Sequence, residues 1–251
     1  MYTEGKIVDS HFKLLSDHLK PNDHLVFNDT RVLNAKIFGK RTRVSSSGTG
    51  IAKLEFLLIK KTSEDTWVAF CKPLKKIKIF ELITFSNSLS AEVIYKSTDQ
   101  CVLKFSRSGI SLDQEISDLG QLPLPPYITS NRVYKETDNV NYQSIFAKNV
   151  GAVASPTASL HFDESILKKL SNFGINYSFL TLHVGAGTFL PLKSENISKH
   201  KMHFENGVLT KETANEINQT IARGGRIIPV GTTCLRLLES AVMAEKRVKE
   251  F

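Results

Sequence analysis

Hydrophobic and polar positions along the chain fall into two regimes. Between residues 39 and 119, apolar residues recur with partial period two in KLEFLLIKK, TWVAFCKP, LITF, SAEVIYK and CVLKFS, with turn-prone SSSGTG and SNSLS between them. Period-two alternation sends successive side chains to opposite faces of an extended backbone, so these runs predict short strands. Several short strands at this spacing predict a small antiparallel barrel or sandwich. Nothing in this region predicts a helix. Just upstream, HLVFNDTRVLNAKIF at 24–38 predicts two strands split by the polar group Asn28-Asp29-Thr30-Arg31.

Beyond LPLPPYI (122–128), where adjacent prolines force extended backbone, the pattern changes. Asp163 is placed to cap a helix, DESILKKLSNF, with Ile166, Leu167, Leu170 and Phe173 on one stripe and Gly174 as its stop. INYSFLTLHV reads as a buried strand. TKETANEINQTIAR reads as a helix with Ala214, Ile217 and Ile221 on one face, ended by Gly224-Gly225. GAVAS and RIIPVG read as short strands, and TTCLRLLESAVMAEKR opens a helix at a threonine cap. Strands alternating with helices predict a mostly parallel sheet. The expected architecture is an α/β domain from 1–38 and 120–251 with an inserted small antiparallel β-barrel at 39–119.

Composition narrows the class. The chain has 251 residues, 41% hydrophobic and 23% charged, as in ordinary globular proteins that bury a real core. No apolar run approaches the roughly 20 residues that span a bilayer, and MYTEGKIVDSHFK lacks the layout of a signal peptide. The expectation is a cytoplasmic protein without membrane contact. Three cysteines, Cys71, Cys101 and Cys234, are an odd number with no CxxC pair, which points to reduced thiols. The net charge of +8 is compatible with a polyanionic partner without identifying one. The lysines gather in KPLKKIK, ILKKL and AEKRVKEF, which read either as solvated faces or as nucleic-acid contacts.

Candidate chemistry concentrates in the α/β part. TLHVGAGTF (181–189) carries His183 on an apolar strand before Gly185 and Gly187. The glycines match the first half of a dinucleotide fingerprint, but Thr188-Phe189-Leu190-Pro191 follows where that fingerprint needs a helix. A strand-end bend, or a turn letting a ligand approach the backbone, remains. ASPTASLHF (154–162) sets Thr157 and His161 between a strand and a helix. KHKMHFE (199–205) spaces His203 and Glu205 two apart, on one face if extended. VGTTCLRLLES places Thr232 and Thr233 at a strand-to-helix junction, whose free N–H groups favour anions or polar ligands. In parallel α/β sheets ligands gather beyond the carboxyl ends of the strands, so GAVASPT, TLHVGAGT and IIPVGTT should converge on one site. The histidines lack the spacing of a metal centre.

These blocks, NDTRVLNAKIFGK, LPLPPYI, YQSIFAKNVGAVASPTASLHF, FLTLHVGAGTFLPLK, HKMHFE and VGTTCLRLLES, in that order, closely resemble the S-adenosylmethionine:tRNA ribosyltransferase-isomerase family of queuosine biosynthesis. The resemblance implies an α/β domain with an inserted β-barrel. It also implies an enzyme that moves the ribosyl part of S-adenosylmethionine onto 7-aminomethyl-7-deazaguanine at the wobble position of a tRNA. Epoxyqueuosine is formed, and adenine and methionine leave. S-adenosylmethionine is then a consumed donor, no metal is required, and the protein acts as a monomer. Such chemistry needs a base for a C–H made acidic by the sulfonium and an acid for the leaving adenine. His161 and His183 are assigned these roles in either order, with Asp29 and Arg31 holding ribose hydroxyls or the base. Asn28, Thr157, Gly185, Gly187, Thr188, Met202, His203, Glu205, Thr232, Thr233 and Arg236 are assigned to substrate binding. Tyr127, Tyr142 and Phe162 are candidates for stacking on a loop base.

The chain also departs from the family. It lacks the family's leading residues and a TNFHLP-like block beyond LESAVMAEKR, so it reads as shortened at both ends. The alternative function is a non-catalytic RNA-binding remnant. Asn34 stands where the family usually has proline, Cys234 where serine is usual, and Phe80 where a turn glycine is expected.

Overall fold

In a computed structural model of the chain, the described residues are all except 1, 4, 8, 47, 186, 188–203 and 243–246. The elements begin with β1 (Tyr2–Thr3), β2 (Lys6–Ile7), β3 (His24–Asn28) and β4 (Thr30–Val32). Six strands follow: β5 (Lys36–Ser45), β6 (Gly48–Ser63), β7 (Thr66–Lys72), β8 (Leu82–Thr84), β9 (Ser90–Lys96) and β10 (Gln100–Phe105). Next come α1 (Gly109–Leu119), α2 (Pro126–Thr129), α3 (Asp138–Asn141), β11 (Asn149–Ala152) and α4 (Glu164–Asn172). The last elements are β12 (Asn176–His183), β13 (Asn206–Val208), α5 (Lys211–Ala222), β14 (Ile227–Pro229) and α6 (Thr232–Ala241). It divides into two compact units, one from Met1–Arg31, Val140–Val184 and His203–Phe251, the other containing Val32–Asn139.

In the second unit β5 to β10 close into an antiparallel barrel in the order β10-β7-β6-β5-β8-β9. Alternation makes this possible: Ala52, Leu54, Phe56 and Leu58 of β6 point inward, as do Trp67, Ala69 and Cys71 of β7. The expected barrel is therefore present. The expected absence of a helix up to residue 119 is corrected by α1, which sets Leu112 and Ile116 into the barrel core. Only these two residues of α1 are buried, an i, i+4 pair in a polar segment, and that stripe is too thin to read from sequence. Phe80 adopts a φ of +68°, so the position where a turn glycine is expected keeps the left-handed backbone while carrying a side chain.

The first unit holds a four-stranded sheet in the order β13-β12-β3-β14. β12 and β14 run parallel to β3, and β13 lies antiparallel on the far edge of β12. The expected mostly parallel sheet is present, although β13 was not foreseen. Leu25 and Phe27 of β3 are buried against Phe162, Ile166 and Leu170. Asp163 caps α4 as expected, its carboxylate accepting from Ile166 N–H at 2.8 Å, and Gly174 follows with φ of +75°. Thr210 caps α5 through Thr213 N–H. For α6 the expected threonine cap is wrong: Gly231, at φ of +92°, is the N-cap, and Thr232 already lies in the helix. The turn out of β14 needs a positive φ that threonine cannot adopt cheaply. The three cysteines are buried and free, each thiol pushed up to about 12 by burial.

The Phe80 conformation gives a direct test. Its side chain is 78% exposed, so little packing is lost on removing it. Phe80→Gly should raise stability by about 1 kcal/mol, the cost of a side chain in left-handed backbone, read as a higher denaturant midpoint at unchanged slope.

Candidate active site

The site begins at the ends of β3 and β12. Asn28, fully buried as the last residue of β3, accepts from Leu182 N–H at 3.0 Å and donates to Leu182 C=O at 2.9 Å. Its carboxamide oxygen also accepts from Thr30 N–H at 3.1 Å. This side chain therefore extends the sheet ladder where the parallel backbones separate, and it turns the chain directly after it. Asp29 emerges from that turn. Its carboxylate accepts from Thr181 Oγ1 at 2.6 Å and from Asn149 Nδ2 at 3.0 Å.

His183 ends β12 half-buried beside this carboxylate. Burial pushes its pKa down, and the negative charge of Asp29 partly offsets that. Its Nδ1 lies 2.8 Å from Thr30 Oγ1. β11 passes under the ring: a side chain at Gly151 would come within 2.7 Å of His183 Nδ1 and Cε1. Asp29, Asn149, Thr181 and His183 share a groove of about 770 Å³, lined further by Tyr177 and Glu216. The arrangement is a neutral imidazole next to a hydrogen-bonded carboxylate at the carboxyl edge of parallel strands, where proton transfer to a bound ligand is feasible.

Of the three strand ends expected to converge, those following β11 and β12 come together, by a different route. β11 pairs with β4 in a separate two-stranded sheet rather than joining the main one. It still reaches the site, because Val153 N–H donates to Val184 C=O at 2.8 Å. The third strand end is placed otherwise: a side chain at Gly231 would come within 3.0 Å of Ala158 Cβ, so the start of α6 lies against the 154–162 loop, and no residue of either lines the His183 groove.

The other assigned residues are spread more widely. His161 is exposed at the end of a short 3-10 helix (Thr157–His161), its ring 5.4 Å from Phe12, and it does not line the His183 groove. Thr157 is exposed at the start of the same helix. Arg31 is exposed on β4. Glu205 and Arg236 are brought together as an ion pair at 2.5 Å. Thr232 and Thr233 occupy the first turn of α6, and Gly185 and Gly187 follow the His183 strand. Thr188, Met202 and His203 lie outside the described residues. Tyr142 and Phe162 are corrected as stacking candidates: both are buried, with Phe162 set edge-on against Phe27 at 4.7 Å, whereas Tyr127 is exposed. Sequence reading missed Thr30, Asn149, Gly151 and Thr181. The glycine in VGAVAS was the one visible signal, and it has no meaning until His183 is placed against it.

A histidine and a carboxylate thus stand together at the carboxyl edge of parallel strands, in an α/β unit accompanied by a closed β-barrel. The chain belongs to the family described as queuosine biosynthesis protein, which it matches over residues 1–251. A relative from Ruegeria sp. strain TM1040, named S-adenosylmethionine:tRNA ribosyltransferase-isomerase, is 49% identical over 95% of this chain and 67% of its own length. One of the same name from Parvibaculum lavamentivorans is 46% identical over 99% of this chain and 70% of its own. A crystal structure titled S-adenosylmethionine tRNA ribosyltransferase, from Thermotoga maritima, is 24% identical over 91% of this chain and 58% of its own, with a TM-score of 0.33.

Two substitutions separate scaffold from surface here. Asn28→Ala should cost about 3 kcal/mol, because it strands buried backbone groups of Leu182 and Thr30. Arg31→Ala, on an exposed side chain, should stay within about 0.5 kcal/mol of wild type. Urea unfolding of the two variants checks both.

Proposed function

We propose that this chain transfers and isomerises the ribosyl moiety of S-adenosylmethionine onto 7-aminomethyl-7-deazaguanine at the tRNA wobble position, giving epoxyqueuosine with release of adenine and methionine. The observation that carries the reading is the family match along the whole chain, joined by relatives of nearly half-identical sequence named S-adenosylmethionine:tRNA ribosyltransferase-isomerase. The α/β unit supplies the chemistry. His183 is the general base for a proton beside the sulfonium, kept neutral by burial and close to Asp29, which would steady the imidazolium once it forms.

With His183 as the base, His161 is left as the general acid for the departing adenine, and Asp29 and Arg31 hold ribose or base. The assigned substrate contacts are Asn28, Thr157, Gly185, Gly187, Thr188, Met202, His203, Glu205, Thr232, Thr233 and Arg236. Among these, Asn28 acts through the strand ends it ties together, since its carboxamide is spent on backbone partners. The tRNA meets a chain of net charge +8, so affinity falls as salt rises. The reaction uses S-adenosylmethionine as a consumed donor and no metal, and the protein works as a cytoplasmic monomer. Among the described residues no helix is long and apolar enough to cross a membrane.

The test is adenine release from S-adenosylmethionine in the presence of precursor-bearing tRNA, followed by chromatography. Release should require both substrates and vanish in His183→Ala at an unchanged melting temperature. Salt-sensitive tRNA binding without adenine release would instead establish the RNA-binding remnant. The pH profile gives a second check. Burial lowers the pKa of His183, so the imidazole stays in its base form as pH falls through the ordinary histidine value of 6.5. The acid limb of kcat/KM should therefore have its midpoint below 6.5; a midpoint above it removes His183 as the base.

A further inference from the structure

The hydroxyl of Thr30 makes two contacts. It is 2.8 Å from His183 Nδ1 and 3.4 Å from the carbonyl oxygen of Asn149. A hydroxyl has a single proton to give. If Thr30 gave it to Nδ1, its oxygen would face the Asn149 carbonyl oxygen with nothing between them. Both contacts are attractive together only when His183 donates from Nδ1–H to Thr30 and Thr30 donates onward to Asn149.

We infer that Thr30 is a positioning residue that holds the proton of neutral His183 on Nδ1 and so leaves Nε2 as the proton-accepting atom of the site. Three further observations support this. Thr30 is fully buried, and its backbone N–H is tied to Asn28, so its hydroxyl is fixed in place by the same turn that places Asp29. Gly151 lies under the Nδ1–Cε1 edge of the ring, where a methyl group would come within 2.7 Å, so this edge faces protein. Among the described residues, no hydrogen bond reaches Nε2. An imidazole whose Nδ1 proton is spent on a neighbour carries its lone pair on Nε2.

The tautomer stands on geometry alone, whereas its catalytic consequence rests on the proposed ribosyl transfer. In that reaction Nε2 takes the proton from the carbon beside the sulfonium. The electron pair stays on that carbon, next to the positive sulfur, and His183 becomes an imidazolium with Thr30 still accepting from Nδ1–H. The positive charge so formed sits within the field of the Asp29 carboxylate.

The experiment is nitrogen NMR on protein labelled with 15N-histidine, recorded above the titration of His183, with His183→Gln identifying its signals. Wild type should show a protonated Nδ1 and a bare Nε2. A protonated Nε2 in wild type would overturn the inference. Thr30→Val keeps the shape of the side chain while removing the acceptor, so it should give mixed tautomers, and Thr30→Ser should restore the single form. Gly151→Ala, which displaces the ring without touching Thr30, should also mix the tautomers. In turnover, Thr30→Val should lower kcat about 100-fold, the low end of what a positioned base contributes, with KM for S-adenosylmethionine unchanged and with recovery in Thr30→Ser. An unchanged kcat in Thr30→Val would refute the positioning role. Wild-type protein with the Nδ1–H tautomer but no adenine release would remove the proposed function and leave the assignment of Thr30 to the tautomer intact.

Discussion

The carboxamide of Asn28 joins two parallel strands at the point where their backbones part. It replaces the ladder between β3 and β12 with side-chain bonds to both the N–H and the C=O of Leu182. Because the same oxygen also receives Thr30 N–H, the chain must turn immediately, and the turn points Asp29 and Thr30 toward the end of β12. Thr181 and His183 stand on either side of Leu182 on that strand, so a single buried side chain sets the spacing of all four groups. Parallel strands cannot be tied by a hairpin at this end. A side-chain bridge is a compact way to close the ladder while leaving functional groups beyond it.

Electrostatics follow from that placement. His183 is desolvated enough for burial to be the larger influence on its pKa, with Asp29 pulling the other way. The two effects together hold an imidazole that is neutral near pH 7 yet has a carboxylate near enough to receive a charge. Asp29 is itself supported by Thr181 and Asn149, which spread its charge over two donors. β11 contributes twice, through the Asn149 side chain and through the bare Cα of Gly151, which gives the histidine ring room to lie against the backbone.

The barrel unit is built on a different rule. Its core is the inward half of an alternating pattern, closed by Leu112 and Ile116 of α1. Its outer half is free to carry charge, and the lysines at 75, 76 and 78 are exposed around the buried Ile77. Ion pairs such as Lys61–Asp113 and Arg107–Glu115 lie on the surface of this unit and contribute little individually.

By itself the sequence determined the class of each unit and most element positions. Period-two alternation leaves a barrel no other economical core, and a capping residue such as Asp163 acts through local geometry. The thin stripe of α1 and the short edge strand β13 were not legible, because two or three residues carry too little pattern. The site was half legible. His183 and Asp29 stand in conspicuous stretches, one apolar run with a lone histidine and one polar break between strands. Their partners Thr30, Asn149, Gly151 and Thr181 are ordinary residues separated by up to 153 positions. Only the tertiary structure decided that His183 and Thr30 meet while His161 lies apart, because such contacts arise from the register of β12 against β3 and from the passage of β11 beneath both. A sequence carries the identities of these groups; the distance between them is a property of the folded sheet edge.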